Sequence, residues 1–357
     1  MFEIWKKSGI VLGHAICILI LLYCFADTIQ LPNATTNTIE NVKPEQNMDL
    51  TETATHSAMT IVTIDITPTP ILMETETPTP SPTPTQTPVP TATVTPAPIV
   101  TEIPTDERTA VKNQVLQNIA DGIYVNLENT KDNWWFHRKE KQVPSGTGEQ
   151  FSMKEYQGFF RNKEVTEEDK VIYLTIDCGY GSSNTEVLLD IFQQQDIKVT
   201  FFITNYFMEE EPEYVRRMVA EGHAVGNHSV THADLTELSD EEIYSEIIGC
   251  EEMFYKITGT QMDLYFRPPE GAYSKRTMQI TEDLGYKTIF WSLAYRDFDL
   301  KNQPGKEYVL DHFATYHHNG AIPLMHNDSD SNMEAMSEVI TFLKEQGYRF
   351  GTLDELK

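Results

Sequence analysis

Residues 170–203 read KVIYLTIDCGYGSSNTEVLLDIFQQQDIKVTFFI. The run 171–176 is short, apolar and rich in β-branched and aromatic side chains, so it reads as a strand. Residues 186–195 place Val187, Leu188, Ile191 and Phe192 on one helical face. A second strand follows at 198–203. Strand, helix, strand is the repeating unit of a parallel sheet covered by helices.

The alternation continues toward the C-terminus. Tyr214, Val215, Met218 and Val219 mark a helix, and 223–226 reads as a short strand. The next helix opens on a capping box, Ser239 to Glu242, in which side chains satisfy free amides of the first turn. It carries an apolar stripe of Ile243, Ile247, Cys250, Phe254 and Ile257, spaced four, three, four and three. Strands at 264–267, 287–292 and 321–325 then alternate with helices at 275–284, 308–317 and 333–346. Gly347 is a natural stop for the last helix, and 348–352 reads as a seventh strand. This pattern predicts an α/β fold, a distorted (β/α) barrel of about six or seven parallel strands. An open dinucleotide fold fits less well, because no G-x-G-x-x-G follows the first strand.

In a parallel barrel the reactive side chains sit at the C-terminal ends of strands. Those ends carry Asp177-Cys178-Gly179, Asn227-His228-Ser229-Val230-Thr231-His232, Arg267-Pro268-Pro269-Glu270-Gly271, Tyr295-Arg296-Asp297 and Met325-His326-Asn327. His228 and His232 are four apart, and one helical turn would put both on one face to grip a metal ion. The H-E-x-x-H glutamate of metalloproteases is missing. Beside such an ion, Asp177 can take a proton from water whose pKa the metal lowers. His326 can protonate a departing amine. Arg267 can orient Asp177 and hold it ionised, and Asp297 can fix the His326 imidazole. For Arg267 and Asp297 the bland alternative is a plain buried ion pair. Cys250 lies on the apolar stripe and reads as core.

Upstream, Lys6 and Lys7 precede a nearly uncharged apolar run. That run is long for a signal-peptide core and just adequate to span a bilayer. The lysines favour an inside N-terminus. The chain therefore divides into a cytoplasmic N-terminus (1–8), a transmembrane anchor or signal segment (9–27), a disordered Thr/Pro-rich linker (28–107), a lead-in segment packing on the catalytic domain (108–169) and that domain (170–357). Pro fixes φ and few large apolar residues are available to the linker, so it reads as a stiff tether. The expected location is the cell membrane, single-pass with an extracytoplasmic domain, or outside the cell if the segment is cleaved after Ala26. The lead-in carries Trp134-Trp135-Phe136, read as a patch packed on the domain or as a sugar-stacking platform. With 54 acidic against 27 basic residues, net charge -27, the chain lacks the basic surface a nucleic-acid partner needs. No C-x-x-C pair exists, so neither a zinc ribbon nor a redox motif is indicated. A Cys178–Cys250 disulfide is open, though nothing in the sequence asks for it. A monomer is expected.

Taken as a set, Thr175-Ile176-Asp177-Cys178-Gly179, His228-Ser229 with His232, Arg267-Pro268-Pro269-Glu270-Gly271, Asp297 after Phe290-Trp291-Ser292, and Leu324-Met325-His326 resemble the five motifs of the NodB-type polysaccharide deacetylases, or family 4 carbohydrate esterases. The resemblance covers residues 170–357. It implies a distorted (β/α) barrel that removes N-acetyl, sometimes O-acetyl, groups from sugars with zinc or another divalent ion. Tyr255-Lys256-Ile257-Thr258-Gly259 and Gly285-Tyr286-Lys287-Thr288 resemble the spore-cortex deacetylases that prepare muramic δ-lactam. That closer likeness implies N-acetylmuramic acid of peptidoglycan as substrate, with N-acetylglucosamine as the alternative sugar.

By the family's pattern Asp177 is the base, Arg267 holds it, His326 is the acid and Asp297 tunes that acid. His228 and His232 match the metal ligands, and the oxyanion donor is a backbone N–H near Glu270. Two departures stand out. The family's third ligand is an Asp where this chain has Cys178. A thiolate binds zinc well; alternatively Cys178 stays a buried thiol and the two histidines hold the ion with waters. Glu270 stands where the family favours an aromatic residue. Two competing expectations remain: a catalytically impaired glycan-binding module, with Cys178 the mark of a decayed site, and an O-deacetylase or chitin-type deacetylase.

Overall fold

The structure is a computed structural model and describes residues 105–140, 146–147 and 151–357. The expected cytoplasmic N-terminus, the membrane or signal segment and nearly all of the linker lie outside the described residues. Among the described residues no helix is long and apolar enough to cross a membrane.

Seven strands form the central sheet: β1 (Gly158–Phe159), β2 (Thr175–Cys178), β3 (Thr200–Ile203), β4 (Ala224–Asn227), β5 (Tyr265–Phe266), β6 (Lys287–Ile289) and β7 (Leu324–His326). Their spatial order is β7-β2-β3-β4-β5-β6-β1, and every ladder is parallel. Every residue of β2 and β3 is buried, as expected for strands covered on both faces. Among the described residues the two edges approach each other through isolated bridges, Leu293–Pro323 and Arg161–Ala321. The sheet therefore curls without closing a full barrel.

Two strand expectations change. Val171–Ile172 pairs with Arg349–Phe350 in a side ladder, and only Thr175–Cys178 enters the central sheet. The break falls at Tyr173, whose amide donates to the Ala321 carbonyl at 2.9 Å. Residues 348–352 thus do not supply the seventh strand. The lead-in supplies it as β1, with Gly158 opposite Thr288 and Phe159 opposite Ile289. Two paired residues are too short a run for periodicity to register.

The helices are α1 (Thr105–Ala120), α2 (Asn184–Gln194), α3 (Asn205–Glu210), α4 (Pro212–Ala220), α5 (Asp240–Thr258), α6 (Lys275–Asp283), α7 (Lys306–Tyr316) and α8 (Asp330–Glu345). The expected capping box starts α5: Ser239 Oγ accepts from the Glu242 amide, and the Ser239 amide donates to Glu242 Oε2. Its stripe of Ile243, Ile247, Cys250 and Phe254 is buried, and Ile257 is partly so. Between sheet and helices, Phe192, Phe201, Val215, Met325 and Val339 share one core. Each such side chain stabilises the fold by roughly 1.5–3 kcal/mol through lost water contact. Arg108 fastens α1 through an ion pair with Glu251 of α5.

The lead-in lies against the strand ends. Asp132–Asn133 pairs antiparallel with Ala272–Tyr273. Trp134 donates its amide to the Gly271 carbonyl (2.8 Å) and its indole N–H to the Trp291 carbonyl (2.9 Å). Its ring packs on Phe160 and Phe290. Trp134 is thus the packed member of the aromatic patch, whereas Trp135 is 47 % exposed.

Candidate active site

Successive side chains of a strand point to opposite faces. At the end of β2 this sends Asp177 and Cys178 apart. Asp177 meets Arg267, which leaves β5 and donates from Nη1 to Asp177 Oδ1 at 2.6 Å. The guanidinium is fixed from other sides as well: Nε donates to the Ile289 carbonyl (3.1 Å), Nη2 to the Phe290 carbonyl (3.4 Å), and the group lies 4.2 Å from the centre of the Phe202 ring. Arg267 is fully buried. Burial pushes the Asp177 carboxyl above its usual range, while Arg267 and His326 pull it down, and burial prevails. The expected pull from Arg267 is present but does not dominate. A carboxylate raised in this way is a better proton acceptor near neutral pH.

His228 and His232 come together, though not on a helical turn. Their segment is a loop in which Ser229 (φ 69°) and His232 (φ 59°) adopt left-handed backbone. The Ser229 amide donates to Asn227 Oδ1 and the His232 amide to Ser229 Oγ, each at 2.9 Å. Glu246 of α5 ties down the tip, accepting from the Thr231 amide (2.8 Å) and hydroxyl (2.7 Å). The two imidazole rings end 4.8 Å apart, near perpendicular. His228 Nδ1 lies 2.8 Å from the Arg267 carbonyl. A carbonyl only accepts, so Nδ1 donates and Nε2 keeps its lone pair, 3.6 Å from Asp177 Oδ2. Burial pushes both histidines down to about 3, so both are neutral at physiological pH. Two neutral imidazoles 4.8 Å apart suit a divalent ion, and a carbonyl bond such as that on His228 is the kind of outer contact that orients a ligand.

Cys178 is fully buried among apolar side chains. Burial, and then the charges of Asp177 and Asp328, push its thiol well above the usual range, away from the thiolate a metal would bind. Cys250 is likewise buried, and both thiols are free, so no disulfide joins them. Among the described residues no group of three His, Cys, Asp or Glu side chains is arranged to hold an ion.

His326 ends β7, which pairs with β2 in a register that sets His326 opposite Asp177. Its Nδ1 bonds Asp297 Oδ1 and its amide donates to Asp297 Oδ2, each at 2.8 Å. Burial works against the charged ring, but the charge and hydrogen bond of Asp297, with help from Asp177 and Asp328, outweigh it and raise the imidazolium to about 9. Asn332, which the sequence reading did not single out, completes this group. Its Nδ2 donates to Asp297 Oδ2 (2.7 Å), and its Oδ1 accepts from the Tyr295 hydroxyl (2.6 Å). Its amide also donates to Ser329 Oγ, the α8 cap, so in the sequence it looks like ordinary first-turn helix.

The third motif makes a tight turn. Glu270 (φ 56°) and Gly271 (φ 69°) both take left-handed backbone. A Cβ on Gly271 would stand 2.8 Å from the Trp291 ring, so glycine is needed there. The Gly271 amide donates to the Pro268 carbonyl (3.0 Å), whereas among the described residues no backbone carbonyl pairs with the Glu270 amide.

A curled parallel sheet whose strand ends gather these groups is the architecture of the polysaccharide deacetylases, and the chain belongs to that family. The family model, polysaccharide deacetylase, matches residues 164–289. A peptidoglycan-N-acetylmuramic acid deacetylase of Bacillus subtilis is 40% identical over 232 residues, covering 64% of this chain and 87% of the relative. Its solved structure, described as a family 4 carbohydrate esterase, superposes with TM-score 0.62 over 64% of this chain and 98% of that one. A peptidoglycan-N-acetylglucosamine deacetylase of Bacillus cereus is 32% identical over 196 residues, covering 54% of this chain and 91% of the relative.

Proposed function

We propose that the chain hydrolyses N-acetyl groups on cell-wall glycan, N-acetylmuramic acid or N-acetylglucosamine of peptidoglycan. The carrying observation is the pairing of two oppositely tuned groups, Asp177 held by Arg267 and His326 held by Asp297. A carboxyl poised as base beside an imidazolium poised as acid is the arrangement amide hydrolysis needs. The names of the relatives support the sugar and the polymer.

His228 and His232 would hold zinc or another divalent ion, with waters completing the shell and Cys178 remaining a core thiol. When bound, that ion supplies Lewis acidity and a water of lowered pKa. Asp177 takes the proton from the attacking water at Oδ2, since Oδ1 is held by Arg267. The Glu270 amide donates to the oxygen that gains charge as the scissile carbonyl becomes tetrahedral. His326 gives the proton on Nε2 to the sugar nitrogen as the C–N bond breaks, because Nδ1 is engaged by Asp297. Acetate and a free amine result.

The apolar run at 9–27 would anchor the chain in the membrane, and the Thr/Pro-rich stretch would let a monomeric extracytoplasmic domain reach the wall. The deciding assay is acetate release by the full chain from purified glycan strands. Asp177→Asn should abolish release, and a chelator should suppress it until zinc is restored. Undiminished release from Asp177→Asn would remove the assigned base.

A further inference from the structure

Two exposed tyrosines beside the site take no part in the mechanism above. β2 and β3 are neighbours in register, with Cys178 opposite Ile203, so the chain leaves both strands on the edge that carries Asp177. Tyr180 lies just past the end of β2, and Tyr206 stands in the first turn of α3, just past the end of β3. Tyr180 is 51 % exposed and Tyr206 41 %. Their rings stack, with centres 5.7 Å apart and planes 20° from parallel.

A single exposed aromatic is ordinary. Here the backbone under both rings is held. Thr204 Oγ1 donates to the Gly179 carbonyl (2.7 Å) and accepts from the Phe207 amide (3.2 Å). Glu210 Oε2 accepts from the Gly181 amide at 2.7 Å. A Cβ on Gly181 would stand 2.9 Å from the Glu211 side chain, so this loop lies tight against the end of α3. The pair is also tied to the reacting groups. Asn327, directly after His326, donates its amide to the Asp177 carbonyl (3.1 Å) and its Nδ2 to the Tyr180 carbonyl (3.0 Å).

A pyranose with equatorial substituents carries its axial C–H bonds on its two faces, so the faces are apolar and the edge is polar. The negative face of an aromatic ring attracts such C–H bonds, and a tyrosine hydroxyl remains able to bond the polar edge. A glycan strand that presents one sugar to Asp177 and His326 must lay its neighbouring sugar against the surrounding surface. Rings already fixed there lose little freedom on binding. A stable protein partner needs about 1,000 Å² or more of interface, far beyond what two rings offer.

We propose that Tyr180 and Tyr206 form a stacking platform for the sugar next to the one that reacts. The proposal rests on the deacetylase reading for the position of the reacting sugar.

The test compares the full chain with Tyr206→Ala and Tyr206→Phe on purified glycan strands, with and without stem peptides. KM for acetate release should rise roughly three- to tenfold in Tyr206→Ala, with a smaller effect on kcat. Tyr206→Phe keeps the ring and should stay close to the unaltered chain. Cosedimentation with peptide-free strands, measured in Asp177→Asn, should weaken by a similar factor when Tyr206→Ala is added. Unchanged KM and cosedimentation in Tyr206→Ala, or a loss confined to kcat, overturn the proposal. An equal rise in Tyr206→Phe overturns it too, because the hydroxyl rather than the ring face would then bind. An effect seen only on peptide-bearing strands assigns the rings to the peptide and likewise overturns it. If the unaltered chain releases no acetate while cosedimentation still depends on Tyr206, the deacetylase reading fails and the glycan platform stands.

Discussion

Asn332 Nδ2 donates to Asp297 Oδ2 at 2.7 Å, so one buried carboxylate is bonded three times, by Asn332 and by the ring and amide of His326. The proposed proton-donating end of the site is therefore a unit, built from the loop after β6, the end of β7 and the first turn of α8.

Removing the charge from that unit should change the pH profile as well as the rate. Asp297→Asn is expected to lower kcat/KM by about 10²- to 10⁴-fold. With His326 as the proposed acid, the alkaline limb is expected near 9 in the unaltered protein and should move toward 6.5 in the variant. The same imidazolium has a folded pKa above its ordinary value. Its stabilising contribution is full below about 6.5 and is lost as pH rises through about 9. Denaturant midpoints measured from pH 6 to 10 would show this decline in the unaltered chain and a flatter curve in Asp297→Asn.

Arg267→Met leaves Asp177 buried without its cation. Breaking one side of a buried pair costs about 3–5 kcal/mol, measurable by urea unfolding. With the downward pull gone, the Asp177 carboxyl rises further, so any residual activity should lose its acid limb at a higher pH than the unaltered enzyme. A limb that stays in place would show that Asp177 is not the titrating base.

Glu246→Ala cuts two hydrogen bonds to Thr231 and frees the loop between the two imidazoles. Outer contacts of this kind are worth roughly 10- to 100-fold in metal affinity. Competition against a chromophoric chelator should show weaker zinc binding with little change in unfolding temperature.

Cys178→Ala separates a packed thiol from a ligand. The variant is expected to lose about 1–2 kcal/mol of stability, as for removal of a small core group, and to bind zinc with unchanged stoichiometry. A loss of zinc that exceeds the loss of stability would make the sulfur a ligand.

Much of this site was legible because parallel α/β folds put reactive groups at strand ends, and four of the five polar runs lie where the alternation of apolar segments implied. Asp177, Arg267 and His326 needed only that rule. The His228–His232 pair was found by spacing, although the spacing works through two left-handed residues rather than a helical turn, which no periodicity reveals. Asn332 was hidden because a residue in a helix's first turn looks the same whether it caps or reaches back to a buried acid. The balance at Asp177 was also hidden, since its direction depends on how deeply the pair is buried. The short β1 and the divided 171–176 run were set by partners far away in the chain.

Because Gly158–Phe159 covers one side of Lys287–Ile289, the hydrolytic unit does not begin where its recognisable motifs begin. A polypeptide started at residue 170 would leave the amides and carbonyls of β6 bare, and an unprotected rim of that kind recruits a neighbour's backbone. Trimming to the motif-bearing half would favour self-association, so the segment upstream of the first motif belongs to the catalytic domain as much as the strand ends that carry the site.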